Sequence, residues 1–156
     1  MSATLADDEL LITRSFDAPA ALLYALWTEV EHFTKWMGPE GFDCAEAEID
    51  FRVGGKYRGM IRSADHGDNW FGGAYREIDP PHKLVFTWKW DAGPSSAMET
   101  LVTITFREQA DGKTVMTFHQ TPFINVERRD SHVQGWSSLF NKLDAYARRV
   151  AQSRTE

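Results

Sequence analysis

Apolar and polar positions alternate loosely from Leu10 to Phe16, with Leu10, Ile12, Arg14 and Phe16 set against Leu11, Thr13 and Ser15, which predicts a strand. Asp17-Ala18-Pro19 stops that strand and opens a helix, with Asp17 as the cap and Pro19 in the first turn, where its missing N–H is harmless. Leu22, Leu23, Leu26, Trp27 and Val30 then recur at helical spacing, so the first helix is expected over Ala20 to Val30 and a second, short one over Glu31 to Trp36. Met37-Gly38-Pro39-Glu40-Gly41 reads as a loop, because its glycines and proline disfavour regular structure.

From Phe42 to Phe51 the period drops to two. Ala45, Ala47, Ile49 and Phe51 share one face and Glu46, Glu48 and Asp50 the other, the pattern of a half-buried antiparallel strand. Gly54-Gly55 before Lys56 predicts a tight turn that needs positive φ, feeding a strand over Lys56 to Ser63; a phosphate loop would lead into a helix instead. Further strand runs over Trp70 to Ile78, Lys83 to Trp90, Glu99 to Arg107 and Lys113 to Thr121 are separated by Asp65-His66-Gly67-Asp68, Asp79-Pro80-Pro81, Asp91 to Ser96 and Asp111-Gly112. Connections this short exclude parallel crossovers and predict an antiparallel meander.

The last periodic stretch is a long helix from Asn125, its N-cap, to Val150. At about 100° per residue, His132, Trp136, Leu139, Phe140, Leu143, Tyr146, Ala147 and Val150 form one stripe, with Arg128, Gln134, Asn141 and Arg148 read as opposite. The order strand, two helices, six strands, long helix is an α+β arrangement with the helices segregated to one side of an antiparallel sheet. Residues 10–150 read as a single domain, and residues 1–9 and 151–156 as tails.

Composition narrows the functional classes. The chain has 156 residues, so one core is the default. With 17 Lys plus Arg against 23 Asp plus Glu, its net charge of −6 repels a nucleic-acid backbone. No apolar run approaches the roughly 20 residues of a membrane span, and the acidic start lacks the features of a secretory signal, so a cytoplasmic location is expected. The one cysteine, Cys44, has no neighbouring thiol or histidine and reads as a small strand residue. No metal or cofactor motif is present and none is expected. The 6 Trp, 4 Tyr and 10 Phe exceed what a core of this size needs, so some rings are expected to line a cavity.

Particular stretches carry a family resemblance. They are Phe16-Asp17-Ala18-Pro19, Trp27, Trp36-Met37-Gly38-Pro39 and Asp50-Phe51-Arg52-Val53-Gly54-Gly55-Lys56-Tyr57. Gly73-Ala74-Tyr75-Arg76-Glu77-Ile78, Pro81-His82-Lys83-Leu84-Val85-Phe86-Thr87-Trp88 and His132-Val133-Gln134-Gly135-Trp136 complete the set. In this order and spacing the chain resembles the START-like (SRPBCC) superfamily, in particular homologues of the C-terminal domain of the heat-shock-protein-90 ATPase activator. The resemblance implies a helix-grip fold, a curved antiparallel sheet wrapped around the C-terminal helix. It does not imply one activity, because the superfamily holds binders, cyclases, hydroxylase domains and a co-chaperone domain.

Candidate ligand-binding residues follow from side-chain chemistry on that frame. His132 and Trp136, four apart on one helix face, are either a hydrogen-bonded core pair or the floor of a ligand pocket with His132 orienting an apolar ligand. Gly135 costs about 1 kcal/mol in a helix interior, which a close approach of sheet or ligand would justify. Phe33, Trp36 and Met37 are either a lid over the open end of the sheet or a plug of the core. Met60, Tyr75, Phe86 and Trp88 are placed near the cavity, with Phe140 on the helix stripe. His119 could approach His132 and, with Glu99, form an acid–base set.

Three readings follow. The first is a binding protein for a small apolar, lipid- or polyketide-like molecule held between the C-terminal helix and the sheet. The second is a co-chaperone-like activator of a chaperone ATPase, implied by the resemblance. The third is a cyclase- or hydrolase-type enzyme using cavity histidines. A monomer and a homodimer are both compatible with the pattern.

Overall fold

The computed structural model describes residues 7–93, 96 and 98–155. Met1 to Ala6 of the expected N-terminal tail, Pro94 and Ser95 of the expected turn, and Glu156 lie outside the described residues. The elements are β1 (Leu10–Phe16), α1 (Ala20–Thr28), α2 (Val30–Trp36), β2 (Asp43–Ile49), β3 (Lys56–Ser63), β4 (Gly67–Asp79), β5 (Lys83–Trp90), β6 (Thr100–Glu108), β7 (Thr114–Thr121) and α3 (Val126–Thr155). One antiparallel sheet runs in the order β1-β7-β6-β5-β4-β3-β2. The meander from β2 to β7 is joined at its far end by β1, where Leu10 pairs with Gln120 and Phe16 with Thr114. The curved sheet and the long helix make the helix-grip arrangement. Trp136, Leu139, Phe140, Leu143 and Ala147 are the buried stripe of α3.

Local chemistry shifts several boundaries. Asp17 is not the cap of α1: Pro19 holds that position without a side-chain bond. The first free amide, that of Ala20, donates instead to Glu108 Oε1 at 2.8 Å, so a carboxylate from β6 sits at the positive end of the helix. α1 stops at Thr28, because Glu29 is extended (φ −98, ψ 125) and caps α2. Asn125 does cap α3, its Oδ1 accepting the Arg128 amide at 2.8 Å. That helix continues past Val150, so residues 151–155 are helical. At the other end, residues 7–9 are tied to the sheet: the Asp8 carbonyl accepts from Phe123 N and from Thr121 Oγ1.

In β2 a bulge between Cys44 and Glu46 breaks the simple alternation. Cys44, Ala47 and Ile49 pack on the core, Ala45 is exposed, and Phe51 lies past the strand, half exposed, with its ring edge on Tyr75. β4 begins at Gly67 rather than Trp70, because Gly67 takes φ +64 and pairs at once with Ser63. Gly54 has the expected positive φ (+84), and a Cβ on Gly55 would meet Asp50 O at 2.0 Å.

Candidate functional site

Two glycines of the sheet leave no voids beside their neighbours. Gly59 is covered by the ring of Phe71, which a Cβ would meet at 2.5 Å, and Gly73 lies on the backbone of Thr87, 1.9 Å from such a Cβ. The interior beneath α1 is therefore filled. Trp27 is its hub, with Trp36 at 4.6 Å and Phe118, Phe140, Phe86 and Trp136 at 6.1–6.3 Å between ring centroids. The open space lies at the other end, between the first half of α3 and strands β3 to β5.

There a cavity of about 580 Å³ is bounded by Met37, Gly38, Pro39 and Phe42 from the α2–β2 loop, Ile61, His66, Asn69 and Phe71 from the β3–β4 hairpin, and Trp88, Trp90, Ala92 and Gly93 from β5 and its exit. Arg128, Ser131, His132, Gly135, Trp136 and Leu139 of α3 close it. Its inner wall is aromatic: Phe71 and Trp88 stack at 4.3 Å, and Trp88 meets Trp136 edge-on at 4.9 Å. Its mouth is polar, with His66 stacked on Phe42 at 5.5 Å.

The predicted site residues separate into three groups. Met37, Trp88, His132 and Trp136 line the cavity. Phe33, Tyr75 and Phe86 stand behind Met37 and Trp88, around a crevice of about 10 Å³ that also touches Trp27 and Tyr57. Trp36, Phe140, Met60 and His119 line neither. Trp36 is fully buried and donates to the Leu26 carbonyl at 2.9 Å, which fixes it in the core, while Met37 beside it reaches the cavity. Phe140 is core, against Trp27 and Phe118. Met60 alternates with Gly59 and Ile61, pairs with Trp70 and Glu46, and faces away from the cavity.

His119 likewise points to the outer face, where Nε2 lies 3.0 Å from Glu9 Oε2. Glu99 is exposed. The acid–base set of His119, His132 and Glu99 therefore does not assemble. Among the described residues no three His, Cys, Asp or Glu side chains group to hold a metal.

His132 has both ring nitrogens engaged. Nδ1 is 2.7 Å from the Arg128 carbonyl, which can only accept, so Nδ1 carries the proton. Nε2 then accepts from Trp90 Nε1 at 3.1 Å. This fixes the neutral tautomer, and burial holds the pKa below the usual histidine value, with the nearby Arg128 charge acting in the same direction. The imidazole thus braces Trp90 against α3 and offers no free lone pair to a substrate.

Three features were not anticipated, and a fourth, the space beside Gly135, bears on the two readings given for it. Gln120, fully buried, accepts from Trp136 Nε1 and donates to Thr100 Oγ1, both at 2.8 Å, and Thr100 donates on to the Trp88 carbonyl at 3.0 Å. This chain fixes the two tryptophans of the inner wall. Its sequence signal was the inward parity of Gln120 with Met116 and Phe118. Lys142 Nζ donates to the Gly38 and Phe42 carbonyls at 3.0 and 2.8 Å, pinning the loop at the mouth. Gly135 has nothing within 4 Å of a built Cβ, so its space is cavity and not contact with the sheet. Arg128, read as opposite the stripe, lines the cavity; it is four residues before His132 and so shares its face.

Residues 17–148 match the family described as Activator of Hsp90 ATPase homolog 1-like protein. The chain belongs to that family. Solved structures similar to it include protein CV1439 from Chromobacterium violaceum, at 26% identity and TM-score 0.78 over 88% of this chain and 96% of that one. Protein NE0264 from Nitrosomonas europaea has 19% identity and TM-score 0.79 over 98% and 100%. The AHSA1 protein from Silicibacter pomeroyi has 21% identity and TM-score 0.79 over 93% and 99%. The last two share the fold alone at such identities. No curated protein gives a significant match. No helix among the described residues is long and apolar enough to cross a membrane.

Proposed function

We propose that this member of the Activator of Hsp90 ATPase homolog 1-like family binds a small, largely apolar molecule in the cavity between α3 and β3–β5. The observation that carries the reading is the cavity itself. At about 580 Å³ it falls within the size range of small-molecule sites, and it has aromatic walls with few polar groups. The core behind it is tightly filled, so this is not a loosely packed interior. Affinity comes from ring contact with Phe71, Trp88 and Trp136.

A thermal-shift screen of lipid, polyketide-like and aromatic compounds tests the reading. A ligand at 100 times its Kd stabilises by about 2.7 kcal/mol, which raises the Tm of a domain this size by roughly 5–10 °C. Gly135→Leu, which puts a side chain into the open space, abolishes that rise while the variant stays folded. No saturable shift from any compound overturns the reading. Family membership also supports a second one, activation of a chaperone ATPase; an ATPase rate unchanged on mixing with the chaperone removes it.

A further inference from the structure

The charge of the residues that line the cavity is the reverse of the charge of the chain. The protein carries a net −6 with 23 acidic residues, yet no Asp or Glu lines the cavity and one arginine does. Seven acidic residues stand next in sequence to lining residues, and three of them are each taken by an arginine other than Arg128. Asp68 pairs with Arg62 at 2.6 Å, Asp91 with Arg58 at 2.9 Å and Asp130 with Arg129 at 3.1 Å. Arg128 is left half-buried with no acidic partner among the described residues. Its guanidinium lies close enough to the cavity-lining His132 to disfavour a second cation there.

An unneutralised, partly desolvated guanidinium at the mouth of an aromatic cavity is a site for an anion. His132 cannot compete as the anion's partner, because its ring is neutral and both nitrogens are engaged. Ser131, three residues after Arg128, and Asn69 across the mouth supply further polar groups on the cavity surface. We propose that the ligand is an amphiphilic acid: a flat or linear apolar body against Phe71, Trp88 and Trp136, with a single carboxylate held by Arg128.

This assignment rests on the cavity reading, and the experiment separates the two. N-Phenyl-1-naphthylamine, a neutral fluorescent probe, reports occupancy; it is displaced by 1-naphthylacetate or by the uncharged 1-naphthylacetamide, which has the same ring. The carboxylate is expected to displace the probe about tenfold more effectively than the amide. In Arg128→Gln that ratio falls to near one, whatever happens to the probe's own affinity, and in Arg128→Lys part of it returns; thermal melts verify that both variants fold. Raised salt shrinks the ratio in the wild type. If the probe binds but carboxylate and amide displace it equally, or the ratio survives in Arg128→Gln, the acid assignment is overturned and the cavity reading stands. If the probe does not bind at all, both fall.

Discussion

Replacing Gln120 by Met tests whether the buried polar chain holds the cavity wall. The substitution keeps side-chain length and removes both amide partners. Trp136 Nε1, which donates to Gln120 Oε1 at 2.8 Å, is left buried and unbonded, at a cost of about 1–3 kcal/mol. Thr100 Oγ1 loses the bond it accepts but keeps its own donation to the Trp88 carbonyl, so its share is smaller. Burying a thioether in place of an amide returns about 1 kcal/mol. The expected net loss is about 1–3 kcal/mol, a Tm lower by roughly 3–10 °C. Urea denaturation followed by circular dichroism measures it without relying on the tryptophans that the change perturbs. A double-mutant cycle with Trp136→Phe isolates the bond, since the double variant leaves neither the donor nor the acceptor unmet; a coupling of about 1–2 kcal/mol is expected. A coupling below about 0.3 kcal/mol with unchanged m-values would refute the view that this bond fixes Trp136.

Three further outcomes follow from the same geometry. Gly135→Ala meets open space and removes a helix glycine, so it stabilises by up to about 1 kcal/mol, whereas Gly73→Ala collides with the Thr87 backbone and destabilises strongly; denaturant midpoints of the pair check the contrast. His132 has a folded pKa below its unfolded value, so its contribution is complete above about pH 6.5 and is lost as pH falls through the folded pKa. Stability measured at pH 7.5 and 5.5 should therefore drop more in the wild type than in His132→Gln. Lys142→Met removes both bonds to the Gly38 and Phe42 carbonyls and is expected to cost about 1–2 kcal/mol and to raise proteolysis of the loop around Glu40.

The architecture was largely legible because each element carried its own period. The inward row Leu84, Phe86, Trp88 and Trp90 and the α3 stripe through Leu143 could be read directly. What failed was long-range. Glu108 caps a helix 88 residues earlier in sequence, and nothing near Asp17 announces it. The bulge that turns Ala45 outward depends on pairing with Met60 and Ile61, which parity alone does not specify. For the site, the aromatic floor was legible as Trp88 and Trp136. Met60 was misplaced by one position of strand parity, and Arg128 by its angle on the helix, although the four-residue spacing to His132 contained the answer. Partner choice for His119 and His132 was not legible, because Glu9, just before β1, and Trp90 of β5 are both distant in sequence from the histidines they meet.

The most direct test of ligand binding uses the six tryptophans as reporters, since they divide by position. Trp88, Trp90 and Trp136 line the cavity, Trp27 and Trp36 lie in the filled core, and Trp70 sits on the outer face beneath Arg58. In a two-dimensional ¹H–¹⁵N NMR titration with N-phenyl-1-naphthylamine, the indole N–H signals of Trp88, Trp90 and Trp136 are predicted to shift saturably at one probe per chain, with that of Trp70 unmoved. Six unmoved signals, or a shift confined to Trp70, would contradict the cavity as the binding site.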